Sequence, residues 1–361
     1  MRAAAPKGRR LPGERLNIAL TADPELPVPP RTYGGIERIV DMLARGLVER
    51  GHDVTVFAHK ESRTAGRLVC WPGGSSASPL DTLGNSATLL REVIRGQFDL
   101  VHSFSRIAYL GPILPAAIPK LMTYQRAISA RSVRMGARLS RGSLWFTAVS
   151  QQMMRDVEAL GVWRVVYNGA PMTAYQLQLD PGPDAPLVFL GRIEEIKGPH
   201  LAIEIARRAG RRLVIAGNVP PEHAAWFARH VEPCLDGERV RYVGPVDDAQ
   251  KNALLGSAQA LLMPILWDEP FGIVMAEAMA CGAPVVAAAR GAAPEVVEDG
   301  VTGFVRPDLD GLVTAVARLP EIDRRACRAR AEGLFSDAAV VEGYLDVYAD
   351  MLAAAGRGPA G

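Results

Sequence analysis

Residues 269–286, EPFGIVMAEAMACGAPVV, constrain the fold more than any other stretch of the chain. Pro270 biases Glu269 away from helical angles, so no helix runs continuously through the start of the segment. From Ile273 to Ala280 helix formers and small residues follow without interruption. Gly282 accepts a left-handed conformation and Pro284 forbids continuation, which ends the helix there. Residues 285–289, VVAAA, are apolar and short enough for a buried strand. A loop, a capped helix and a buried strand in such close order predict an α/β chain whose parallel strands are covered by helices.

The same layout sets two carboxylates at different depths. Glu269 precedes the helix, and Glu277 lies within it. The amides of Phe271, Gly272 and Ile273 are first-turn donors with no partner inside the helix. With the positive end of the helix dipole they favour an anion, by about 0.3–1 kcal/mol and up to ~2 when partly buried. A carboxylate beside an anion site is a tension that a sugar nucleotide resolves: its hydroxyls suit Glu269, its phosphates the amides, and its ribose diol Glu277. The bland alternative is an amphipathic helix with two surface glutamates.

A second signal lies at residues 191–198, GRIEEIKG, after the apolar run PLVFL. Arg192 can fork onto phosphate oxygens, and Lys197 adds a mobile point charge. Two cations between glycines at a strand–helix junction suit a diphosphate. An ion-pair network with Glu194 and Glu195 would use the same residues structurally.

In the first half, residues 16–22 read as a strand and DPELPVPPRTYGG as a long, proline-rich loop of the kind that carries function. The loop ends at Gly34 and Gly35, where an amphipathic helix begins and a backbone could approach a ligand. There is no G-x-G-x-x-G, which argues against a dinucleotide cofactor. FDLVHSFS and residues 119–123 are further strands, so His102, Gln125 and Arg126 fall at carboxyl ends, where open α/β sheets place ligands. A lone histidine is more often structural. Arg131, Arg134, Arg138 and Arg141 recur along one helical face. That face is either solvated or a docking surface for an anionic acceptor or membrane headgroups.

Length and spacing divide the chain into a tail at 1–15, an N-terminal domain at 16–172, a linker at 173–184 marked by LDPGPDA, a C-terminal domain at 185–336, and a terminal helix with its tail at 337–361. The net charge of +2 does not suggest nucleic acid. Cys70, Cys234, Cys281 and Cys327 form no CxxC and imply no metal site or disulfide framework. No apolar run reaches the ~20 residues of a membrane span, and the basic N-terminus lacks a signal-peptide core. A cytoplasmic protein, possible at the inner face of the membrane, is the expectation.

Residues 269–286 resemble the most recognisable motif of the family 4 retaining glycosyltransferases, and G-R-x-x-x-x-K-G resembles that family's second hallmark. The resemblance implies the GT-B architecture: two Rossmann-like domains facing across a cleft, with the C-terminal helix crossing back to the first. It implies sugar transfer with retention from a UDP- or GDP-sugar, with no obligatory metal and no cofactor, to a glycan, a lipid-linked acceptor or a small metabolite. Arg192, Lys197 and Glu269 become the catalytic set. Phe271, Gly272, Ile273, Val274 and Glu277 join them in holding the donor. Gly34, Gly35, His102, Gln125 and Arg126 face the sugar or acceptor. The family's further histidine after His102 is here Phe104, and Gln125, which cannot act as a base, stands near its second histidine position. A GT-B epimerase, a phosphorylase and a sugar-nucleotide sensor without turnover are the rival readings.

Overall fold

The computed structural model describes residues 15–30 and 34–356. The expected loose segment at residues 1–14 and the last five residues of the terminal tail lie outside them.

The chain forms two compact units. In the first, seven parallel strands are described: β1 (Asn17–Thr21), β2 (Asp53–Ala58), β3 (Arg67–Cys70), β4 (Leu100–Ser103), β5 (Lys120–Tyr124), β6 (Leu144–Ala148) and β7 (Trp163–Val165). Their order is β3-β2-β1-β4-β5-β6-β7. The central strands are buried almost throughout because helices cover both faces of a parallel sheet. Phe57, Trp71, Tyr109, Phe146 and Trp163 fill the layer between one face and its helices. The sequence shows no clear signal for β3, an edge strand whose residues are only half covered.

The helix Asp337–Ala354 belongs to this first unit, as expected for the terminal helix. It packs on Gly35–Glu49, where Gly46 leaves room for Val341. Arg50 and Glu342 pair across the contact at 2.9 Å.

The second unit spans Asn168–Ser336. Its six described strands are β8 (Leu187–Leu190), β9 (Leu213–Ala216), β10 (Val240–Tyr242), β11 (Ala260–Met263), β12 (Val285–Ala288) and β13 (Gly303–Arg306), in the order β10-β9-β8-β11-β12-β13, all parallel. The helix Ile273–Ala280 has the bounds expected from sequence, and Gly282 is left-handed at φ 82°. Contacts divide the chain after Tyr167, ahead of the boundary that composition suggests. The reason is local: the Ala170 amide already donates to the Phe335 carbonyl at 2.8 Å, and the Gln178 amide to the Cys281 carbonyl at 3.0 Å. The compositional linker is thereby stitched to the second unit.

Candidate functional site

In the second sheet the chain leaves β8 towards β9 and β10 on one side, and leaves β11 towards β12 and β13 on the other. The loops that follow β8 and β11 therefore flank a topological switch point, where parallel sheets leave a crevice for ligands. The Leu266 amide donates to the Ile196 carbonyl at 2.8 Å and fastens the two loops together. Gly198, at φ 77°, makes the approach sterically possible, since a Cβ there would overlap the Pro264 carbonyl oxygen.

Across this junction Lys197 Nζ lies 2.5 Å from Glu269 Oε2. The indole N–H of Trp267 donates to the same oxygen at 3.0 Å, and the lysine ammonium sits 4.7 Å from the centre of the Trp267 ring. Both charged side chains are mostly buried. The structure thus brings together a cation and a carboxylate that are 72 residues apart in sequence.

Arg192 is on the same β8 loop, but its contact is different. Its Nη2 lies 2.8 Å from Glu194 Oε1, and His223 Nε2 approaches the other Glu194 oxygen at 3.3 Å. The ion pair with Glu194 that the sequence offers as an alternative is therefore formed, within reach of the same loop as Lys197.

Phe271 is buried and meets Phe335 edge-on at 5.4 Å, which anchors the chain just before the helix. Gly272 follows at φ 77°, and a side chain there would crowd Met263 and Met275. Ile273 and Val274 begin the helix Ile273–Ala280. Glu277, on the same helix, is buried rather than displayed: its Oε1 accepts from the Tyr175 hydroxyl at 2.7 Å and from Lys251 Nζ at 2.5 Å. Burial and the Glu277 charge raise the Tyr175 pKa far above its ordinary value, so the phenol stays a donor. One turn on, burial and the same carboxylate push the Cys281 thiol up to about 12, which leaves it unreactive at neutral pH.

The first sheet has its own switch point, between β1 and β4. Gly34 and Gly35 open the helix that follows β1, and a Cβ on Gly34 would press on Pro30 and the buried Glu37 carboxylate. Gln125 is half-buried after β5, and Arg126 is exposed, with Nη2 3.5 Å from Asp23 Oδ2. Burial raises the Asp23 carboxyl from its ordinary value to about 6, with Arg126 opposing the shift.

The resemblance implies that His102 faces the sugar or acceptor. His102 is fully buried, with Nδ1 2.6 Å from the Tyr348 hydroxyl and Nε2 2.7 Å from Thr123 Oγ1. Desolvation holds its pKa well below the usual histidine range, so the ring is neutral and links the terminal helix to the sheet. Sequence reading misses Tyr175, Lys251, Trp267 and His223 as partners of the site. Only Trp267 had a signal, its place two residues before Glu269.

Among the described residues no cluster of His, Cys, Asp or Glu could hold a metal ion, and no helix is long and apolar enough to cross a membrane.

Residues 33–173 match the family model described as Glycosyltransferase Family 4, and residues 185–321 match the model described as Glycosyl transferases group 1. The chain is 23% identical to spore coat protein SA of Bacillus subtilis, over 92% of this chain and 99% of that one. It is 29% identical to the phosphatidyl-myo-inositol mannosyltransferase of Mycolicibacterium smegmatis, over 81% and 82% respectively. Among solved structures, Anabaena HepE in complex with UDP-glucose superposes with a TM-score of 0.70 at 19% identity, covering 94% of this chain and all of that one.

Proposed function

The chain belongs to the family 4, group 1 glycosyltransferases, and from that premise we propose that it transfers a sugar, with retention, from a nucleoside diphosphate sugar to a hydroxyl of a glycan, glycolipid or metabolite. The observation that supports this best is the Lys197–Glu269 pair at the switch point of the second sheet. It sets a cation and a carboxylate side by side where a diphosphate and a hexose would meet.

In this reading the bond from the anomeric carbon to the diphosphate oxygen breaks, and the electron pair leaves with the diphosphate. The acceptor oxygen bonds on the same face, and its proton passes to the departing diphosphate oxygen. Arg192, Lys197 and the amides of Phe271, Gly272 and Ile273 stabilise the departing charge, the role that a preorganised donor set plays in a water-poor site. Glu269 holds sugar hydroxyls and the charge at the anomeric centre. Glu277 takes the ribose, with Lys251 and Tyr175 fixing its carboxylate. Gly34, Gly35, Gln125 and Arg126 serve the acceptor side. HepE was crystallised with UDP-glucose, which favours that donor for the first trial, and the name of the mycobacterial mannosyltransferase makes a lipid-linked acceptor the first to offer.

The experiment is incubation of the protein with UDP-glucose and, separately, GDP-mannose, with release of nucleoside diphosphate followed by chromatography. Donor cleavage, slow without acceptor and faster with it, is the expected result. Binding of either donor without cleavage would instead support the sensor reading, which the burial of His102 and the presence of Gln125 keep in view.

A further inference from the structure

The helix Ala130–Ser140 buries Val133, Gly136 and Ser140 against the first unit. Its opposite face carries Arg131, Arg134 and Arg138, all exposed, and Arg141 follows at the helix end. Among the described residues none of the four arginines has an acidic partner, although arginines elsewhere on this protein pair repeatedly. The helix itself contains no acid. On the same face Met135 is 51% exposed and Leu139 47% exposed. Two large apolar side chains held in water among unpaired guanidinium groups are not explained by solvation alone.

We propose that this face is a docking surface for an anionic lipid bilayer. The arginines would meet headgroup phosphates, and Met135 and Leu139 would enter the boundary between headgroups and acyl chains. That combination of a cationic polar band with apolar side chains beside it is how a helix lies in a membrane interface. A nucleic acid or other polyanion would engage the arginines but has no use for Met135 and Leu139, so the lipid surface is the better fit. The surface stands independently of the donor chemistry. It also follows β5 directly, so docking would bring the acceptor-side residues Gln125 and Arg126 close to the bilayer.

The test is sedimentation of the full chain with vesicles of phosphatidylcholine alone or of phosphatidylcholine and phosphatidylglycerol in equal parts. Binding is expected only to the anionic vesicles, and it should weaken as salt rises. Arg131→Ser, Arg134→Ser and Arg138→Ser combined should lower the partition coefficient by roughly a hundredfold, since each basic residue near an anionic surface adds about fivefold. Met135→Ser with Leu139→Ser keeps the charge and should still weaken binding several-fold. Thermal melts of both variants check the fold, and exposed positions should leave it intact. Equal binding to neutral vesicles, or an unchanged partition for the triple variant, would overturn the proposal. So would a Met135/Leu139 variant that binds like the parent, because that outcome describes a polyanion site.

Discussion

The Tyr175 hydroxyl donates to Glu277 Oε1 at 2.7 Å, which ties a segment that composition reads as a linker to the helix bearing the proposed ribose carboxylate. The bond is buried, and the carboxylate keeps Lys251 as its second partner. Tyr175→Phe removes one hydrogen bond to a charged acceptor without leaving that charge unpaired. A loss of about 1.5–3 kcal/mol in unfolding free energy is expected, the range for hydrogen bonds to charged groups. Nucleotide affinity should fall with it. A urea midpoint equal to that of the parent would show that the bond carries no stability.

Arg192→Ala and Lys197→Ala should each lower turnover by ~10²–10³, the usual cost of deleting one electrostatic donor to a developing charge. Their effects on stability should differ. Lys197 is mostly buried against Glu269, and its removal leaves a largely buried carboxylate with Trp267 as its remaining polar partner among the described residues. Arg192 is more open, and Glu194 retains His223 nearby. Melting curves should therefore place Lys197→Ala below Arg192→Ala. Turnover within a few-fold of the parent for either variant would remove these residues from the diphosphate.

Much of the second unit is legible in the sequence because its signals are local. Proline and glycine set both ends of Ile273–Ala280, and glycines bracket the Arg192–Lys197 turn. The partners of those residues are not legible, because they arrive from far away. Tyr175 and Lys251 reach Glu277 across 102 and 26 residues. His102 shows the same limit: its place at a strand end points to a ligand, yet Tyr344 and Tyr348 of the terminal helix close over it. Periodicity reports which face of a helix is buried. It does not report which side chain that face covers.

His102 and Asp23 should leave opposite marks on the pH dependence of stability. The folded pKa of His102 lies below its unfolded value of about 6.5, so the unfolded chain takes the proton first and stability falls as pH drops below that value. Asp23 is raised from 3.8 to about 6. Its penalty is present above pH 6 and fades as pH falls towards 4. His102→Gln should flatten the acid loss between pH 6.5 and 5, a range chosen from these shifts, by up to about 1.4 kcal/mol per pH unit. Asp23→Asn should stabilise the protein by about 1–3 kcal/mol at neutral pH, with the gain vanishing near the ordinary aspartate range. Parallel stability curves for parent and variants would contradict both assignments.

Gly291 braces Glu269 from behind, and it offers a way to move that carboxylate without touching it. The residue is left-handed at φ 54°, and a Cβ there would overlap the backbone nitrogen and oxygen of Glu269. The Ala292 amide also donates to the Glu269 carbonyl at 2.9 Å, so the two loops share one backbone contact. Gly291→Ala should cost about 1–2 kcal/mol for the left-handed conformation alone. The overlap must in addition shift the Glu269 backbone, and a displacement of about 1 Å at a catalytic group costs on the order of 10² in rate. Gly300→Ala supplies the control. Gly300 is also left-handed, at φ 76°, but has open space where its Cβ would stand. Both variants should lose stability, and only Gly291→Ala should lose turnover to that extent. Equal activity in the two would mean that the position of Glu269 does not govern the transfer step.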